Sequence, residues 1–100
     1  MRKGTTPTHM FELPFDSSDV SKIKITYQQN NSTILTKRDA DLTFDGNTVS
    51  TTLTQEETFL FDHQRTVYIQ VRVLTKDNIA LTSEIMPVGV DKCLDNEVLQ

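Results

Sequence analysis

Apolar and polar residues alternate along this chain in short runs. Ile23, Ile25 and Tyr27 are separated by Lys24 and Thr26. The run over 65–75 is the longest, with Val67, Ile69, Val71 and Val73 on one face and Tyr68, Gln70, Arg72 and Leu74 on the other. A period of two predicts strands with one buried face. Residues 8–13 alternate as well, with Phe11 and Leu13 together and Pro14 closing the run. Proline supplies no ladder donor, so this reads as an edge strand. After a polar loop at 28–32, residues 33–36 return as the hairpin partner of 23–27. Asp45-Gly46 between 42–44 and 47–49 predicts a tight hairpin, since glycine takes positive φ without steric cost. The second arm continues through Val49, Thr51 and Leu53, and a last strand covers 79–85 before Pro87 and Gly89 interrupt.

Thr54-Gln55-Glu56-Glu57 has capping-box spacing, and Phe59, Leu60 and Phe61 would anchor one helical turn crossing between sheets. The charged segment 37–41 reads as exposed. Turn signals every ~8–12 residues around about seven strands are the spacing of a β-sandwich. A small barrel is the other architecture this strand count permits. The fold expected is all-β: a single immunoglobulin-like antiparallel β-sandwich over 8–90, an extended N-terminal arm at 1–7 and an acidic C-terminal tail at 91–100. Its expected core is Phe11, Leu13, Ile23, Ile25, Val49, Leu53, Val67, Ile69, Val71, Val73, Leu81 and Ile85.

Composition agrees with that pattern. Thr, Val and Ile number 15, 8 and 6, against two alanines, which favours pleated surfaces over a helical bundle. With 28 Leu, Ile, Val and Phe in 100 residues, one modest core can form. The net charge of −4 weighs against nucleic acid as a partner, because phosphate neutralisation dominates that affinity. No apolar run follows Arg2-Lys3, so no signal peptide is visible and cytoplasmic synthesis is expected. No stretch approaches the ~20 apolar residues of a membrane span, so no membrane partner is expected. Cys93 is the single cysteine, and the overlapping sequons at Asn30 and Asn31 read as a polar turn.

The inventory for catalysis is thin. His9 and His63 have no metal-ligand spacing and read as surface histidines in loops. Cys93 has acidic flanks that disfavour a thiolate, so its pairing with His63 as nucleophile and base is set aside. Asp39, Asp41 and Asp45-Gly46 hint at calcium but fail the required loop pattern, and Glu56-Glu57 point apart on a helical turn. Three glycines leave no phosphate-cradling loop. The expectation is therefore no enzyme, no cofactor and no metal. What remains is surface. Tyr68, Arg72 and Leu74 share the water-facing side of the long strand, where Tyr and Arg are favoured contact residues. Ordinary cross-strand packing on a sheet surface is the stronger explanation for them. Arg2 and Lys3 oppose Asp91, Asp95 and Glu97 in charge, which suggests head-to-tail contact between copies through the arm and an exposed strand edge.

Three segments carry a resemblance. The opening Arg2-Lys3-Gly4-Thr5-Thr6-Pro7-Thr8-His9 with Leu13-Pro14-Phe15, the stretch Leu53-Thr54-Gln55-Glu56-Glu57-Thr58, and Cys93-Leu94-Asp95 resemble small proteins encoded in prophage tail and baseplate regions. The layout up to the Asp45-Gly46 hairpin resembles the immunoglobulin-like N-terminal domain of phage baseplate upper proteins. It lacks their long C-terminal extension, and no functional residue carries over. The resemblance implies a non-enzymatic structural or assembly protein, made in the bacterial cytoplasm and built into a virion. Its partners would be other phage structural proteins or further copies of itself. The alternative is a carbohydrate- or ligand-binding β-sandwich module, for which two tyrosines and no tryptophan are poor stacking material.

Overall fold

Two tight turns organise the chain in the computed structural model, which describes residues 1–100. Eight strands form in all: β1 (Thr8–Glu12), β2 (Val20–Gln29), β3 (Ser32–Arg38), β4 (Thr43–Asp45), β5 (Thr48–Thr52), β6 (Val67–Thr75), β7 (Ala80–Thr82) and β8 (Met86–Val88). One helical turn, α1 (Gln55–Phe59), lies between β5 and β6. The first turn, between β2 and β3, is only Asn30-Asn31, and both residues hold positive φ, at 50° and 63°. That is the backbone of a I′ hairpin, which the right-handed twist of paired strands favours and asparagine tolerates. The loop expected at 28–32 therefore shrinks to two residues, and β2 rather than β6 is the longest strand. The second turn, Gly46-Asn47, joins β4 to β5, with Gly46 at φ +59°.

Both sheets are antiparallel: β1-β5-β4 in one, and β3-β2-β6 in the other with β7 and β8 both pairing the outer side of β6. The all-β sandwich expected from the alternation is what forms, and β1 is an edge strand as Pro14 implied. One detail departs from the immunoglobulin arrangement, whose sheets run ABED and CFG. There the second strand lies in the sheet of the first. Here β2 sits between β3 and β6 in the opposite sheet. A two-residue hairpin can join only antiparallel neighbours, so the Asn30-Asn31 turn commits β2 to the sheet of β3.

The side expected to be one strand over 79–85 is two. β7 pairs β6 in one register, with Leu81 opposite Val73, and β8 pairs it one residue out of step, with Met86 opposite Ile69. Side chains alternate with period two, so that slip exchanges the faces. Met86 and Val88 turn inward against the core, while Ile85 is 59% exposed and Leu81, at the rim, 40%. Those two positions leave the expected core. Phe11 only packs against it, and Tyr27, Leu42, Phe61 and Val90 join it. Val67, Ile69, Val71 and Val73 are buried as the alternation required.

Residues 1–7 fold back onto the body instead of extending from it. Lys3 N donates to Asp91 O, Asp91 N to Met1 O, and Leu53 N to Pro7 O. Gly4 N donates to the Thr58 hydroxyl, which in turn donates toward Thr5 O and Gln55 O. Gly4 has φ +81°, and a Cβ there would stand 2.9 Å from the Phe59 ring. The segment thus needs glycine to pass this close to α1. Met1 packs against the core, so the segment expected as an extended arm is tied into the folded body.

Candidate interaction surface

Polar groups meet between the sheets at one end of the sandwich. β1 turns His9 inward, and its Nδ1 lies 2.7 Å from the hydroxyl of the fully buried Tyr27 on β2. Beside them Lys37 of β3 reaches across to Glu57 of α1, with Nζ–Oε distances of 2.9 and 2.7 Å. Glu57 also closes the capping box expected from spacing: Thr54 Oγ1 accepts from Glu57 N, and Glu57 Oε1 accepts from Thr54 N. Burial, joined by the Glu57 charge, pushes the Tyr27 phenol well above its ordinary pKa. His9 is therefore no loop histidine; it fastens one sheet to the other. Gln29 does similar work, its amide holding Asp62 N, Asp62 O and Arg65 O. No buried side-chain nitrogen or oxygen is left without a partner. The arrangement closes the sandwich at this end.

The open side of the sandwich is different. A groove of about 420 Å³ runs between β1 and the β7–β8 edge, lined by Met10, Phe11, Leu13 and Phe15 on one lip and Leu81 and Met86 on the other, with Val71 and Val73 at its floor. Both lips are strand edges with free backbone groups. Leu13 N bonds Asn47 O and Leu53 N bonds Pro7 O, so the odd-numbered residues of β1 face β5. The N–H and C=O groups of Thr8, Met10 and Glu12 therefore point away from the ladder. Across the groove, Thr75 bonds Ile79 O and Ser83 bonds Val71 O, which leaves Ala80 and Thr82 facing outward in the same way. Met10 is 69% exposed on this lip.

The residues expected to meet a partner lie elsewhere. Tyr68, Arg72 and Leu74 are on the outer face of the β6 sheet, with Tyr68 47% exposed. Leu74 is half-buried beside Lys22. Arg2 and Lys3 form a separate group beside the C-terminal segment, where Arg2 Nη1 donates to Lys92 O. The two ends also meet within one chain, through a backbone bridge between Arg2 and Asp91 that is not an ion pair, and Gln55 of α1 holds Leu99 through both its amide atoms. The other exposed aromatic, Phe44, is on the opposite sheet from Tyr68, so the two make no joint platform for a sugar ring. Cys93 donates to Asp95 O and sits beside Gly4, and His63 lies in the exposed 62–66 loop. The groove was missed in sequence because its lips come from residues about 70 apart that no local pattern links. Its one legible sign was Pro14, which marked a free edge.

No helix is long and apolar enough to cross a membrane. No protein-family model matches the chain, nor does any curated protein or solved structure.

Proposed function

We propose that this chain is a non-enzymatic assembly domain of a phage or prophage tail or baseplate, acting through protein–protein contacts. In this reading, an extended segment of a neighbouring subunit lies in the groove between β1 and β7. The observation that carries the contact is the groove: an apolar floor between two strand edges whose backbone groups are unpaired. A segment there bonds to a lip as an added strand, and its alternate side chains cover Met10, Phe15, Leu81 and Met86. Backbone pairing supplies affinity and the apolar pocket supplies register. The particle setting rests on the resemblance of the opening, the Leu53 to Thr58 stretch and Cys93-Leu94-Asp95. The neighbour is another structural protein of the particle or a further copy of this chain.

Leu81→Glu tests the contact, because Leu81 stands at the rim and the substitution puts a carboxylate into the apolar floor without opening the core. Co-expressed with the products of its neighbouring genes, the unaltered chain should purify with one of them, or with itself, at fixed stoichiometry. The Leu81→Glu chain should keep its melting curve and come away alone. Equal association of both chains would refute the groove as the contact. The gene neighbourhood tests the setting separately: tail-fibre, holin or endolysin genes alongside support it, and a metabolic operon rejects it.

A further inference from the structure

On the far face of the β6 sheet, the ladder sets cations directly side by side. Lys24 of β2 pairs with Arg38 of β3 on one side and with Arg72 of β6 on the other, and Lys22 lies two residues along β2. Adjacent strands are about 4.8 Å apart, so the row Arg38–Lys24–Arg72 spans about 10 Å, with Lys22 ~7 Å along the strand. All four line one shallow depression of about 240 Å³, with Leu74 and Ala80 at its margin. None of them belongs to either ion pair in the molecule, which are Lys37–Glu57 and Arg65–Asp62. Asp39 is the one carboxylate at the rim, and its Oδ1 is taken by the Ile23 N–H. Like charges directly opposed across a ladder oppose its pairing. Four of the chain's ten cations are gathered here against one rim carboxylate, in a molecule of net charge −4.

From this juxtaposition we infer that the depression is a binding site for a compact polyvalent anion, two or more phosphate groups held within about 10 Å. The charge distribution selects for compactness. With these four cations set aside, the rest of the chain carries −8, which repels a polyanion that extends beyond the patch. The residue types select for phosphate. Two guanidinium forks grip phosphate oxygens bidentately, and two ammonium groups add point charge. A single carboxylate would leave most of that charge unmatched. No aromatic lines the depression, so nucleobases and sugar rings have nothing to stack on. The depression adjoins the groove at Val73 and Leu81, which line both, but its four cations belong to the outer face of the sheet and line no part of the groove.

Tripolyphosphate is the probe. At low salt, titration into the 15N-labelled chain should give saturable one-to-one binding, with amide shifts centred on Lys22, Lys24, Arg38 and Arg72, weakening as salt is added. The double variant Lys24→Gln/Arg72→Gln should lose at least tenfold in affinity, and Lys92→Gln, near the C-terminus, should lose none. Both substituted side chains are on the outer face of the sheet, Arg72 exposed and Lys24 half-buried; should the double variant fail to fold, Arg38→Gln alone is expected to weaken binding several-fold. Absence of saturation, or unchanged affinity in a folded charge variant, would overturn the site. Tighter binding of a short DNA duplex than of tripolyphosphate would overturn its compact character.

Discussion

Tyr27 is fully buried, and the only partner its hydroxyl finds is His9 on the facing sheet. In the neutral tautomer that carries its proton on Nε2, Nδ1 accepts from the phenol; protonation makes that nitrogen a donor and removes the phenol's acceptor. Burial first, and the positive N-terminus second, hold the His9 pKa below its ordinary 6.5. The unfolded chain therefore binds that proton more readily than the folded one. His9 contributes stability that is complete above pH 6.5 and declines as pH falls beneath it. For Glu57, burial pulls upward, but the hydrogen bonds from Lys37 and Thr54 and the Lys37 charge outweigh it and hold the group below 4.5. Its contribution is likewise complete above 4.5 and fades below. Thermal melts from neutral to acid pH should therefore show two successive losses. His9→Phe should remove the first and keep the second, at a cost near neutral pH of about 1–3 kcal/mol for the unpaired phenol. An unchanged first loss would assign it to another group. The Thr54–Glu57 box was readable in sequence because its partners are three residues apart. The His9–Tyr27 bond was not, since its partners meet only once two sheets have packed.

At the scale of elements, the turn between β2 and β3 decides which sheet β2 joins. Asn31 at φ 63° is in the left-handed region, where a Cβ without a local hydrogen-bonding group costs about 1–2 kcal/mol. Asn31→Ala should therefore lower the unfolding free energy from denaturant titration by that amount, and Asn31→Gly should hold or raise it. Equal stability of the two variants would mean that the turn relaxes. The sequence showed this hairpin as a broad polar loop, because Gln28 and Gln29 look like loop residues. Gln29 instead serves the 61–66 loop from inside the strand. The buried face of β6, three valines and Ile69, was legible in full, since an unbroken period of two fits one pattern alone. Ile85 misled because a one-residue slip in pairing leaves no mark in an alternating sequence. Lys24 showed the same limit. Its alternation placed it on the outer face, but only the register with β3 and β6 put Arg38 and Arg72 beside it.

For the whole molecule, the two chain ends act as one structural unit. Residues 1–7 bond to Asp91, Leu53 and Thr58, and Met1 packs against the core. A chain beginning at Thr8 should fold but lose about 2–4 kcal/mol, from several hydrogen bonds at ~1 kcal/mol each and the uncovered apolar surface. Hydrogen exchange should quicken at Asp91 and around Thr58 in that chain. An unaltered midpoint would mean that the segment merely rests on the surface. In sequence, residues 1–7 looked like a free arm because they hold no large apolar run. Their attachment is through backbone groups, which every sequence carries alike and none advertises.

The break between β7 and β8 has a consequence for how the protein behaves in a crowded solution. A sheet edge that is straight and continuous invites unlimited lateral addition, which ends in fibrils. This edge is two pieces of three residues in different registers, with Pro87 inside the second. A strand that bonds along β7 cannot continue along β8 without slipping by one residue and turning its side chains over. Growth along that side therefore stops after one short contact. That side of the sheet can thus accept one short added strand without becoming a template for an endless ladder.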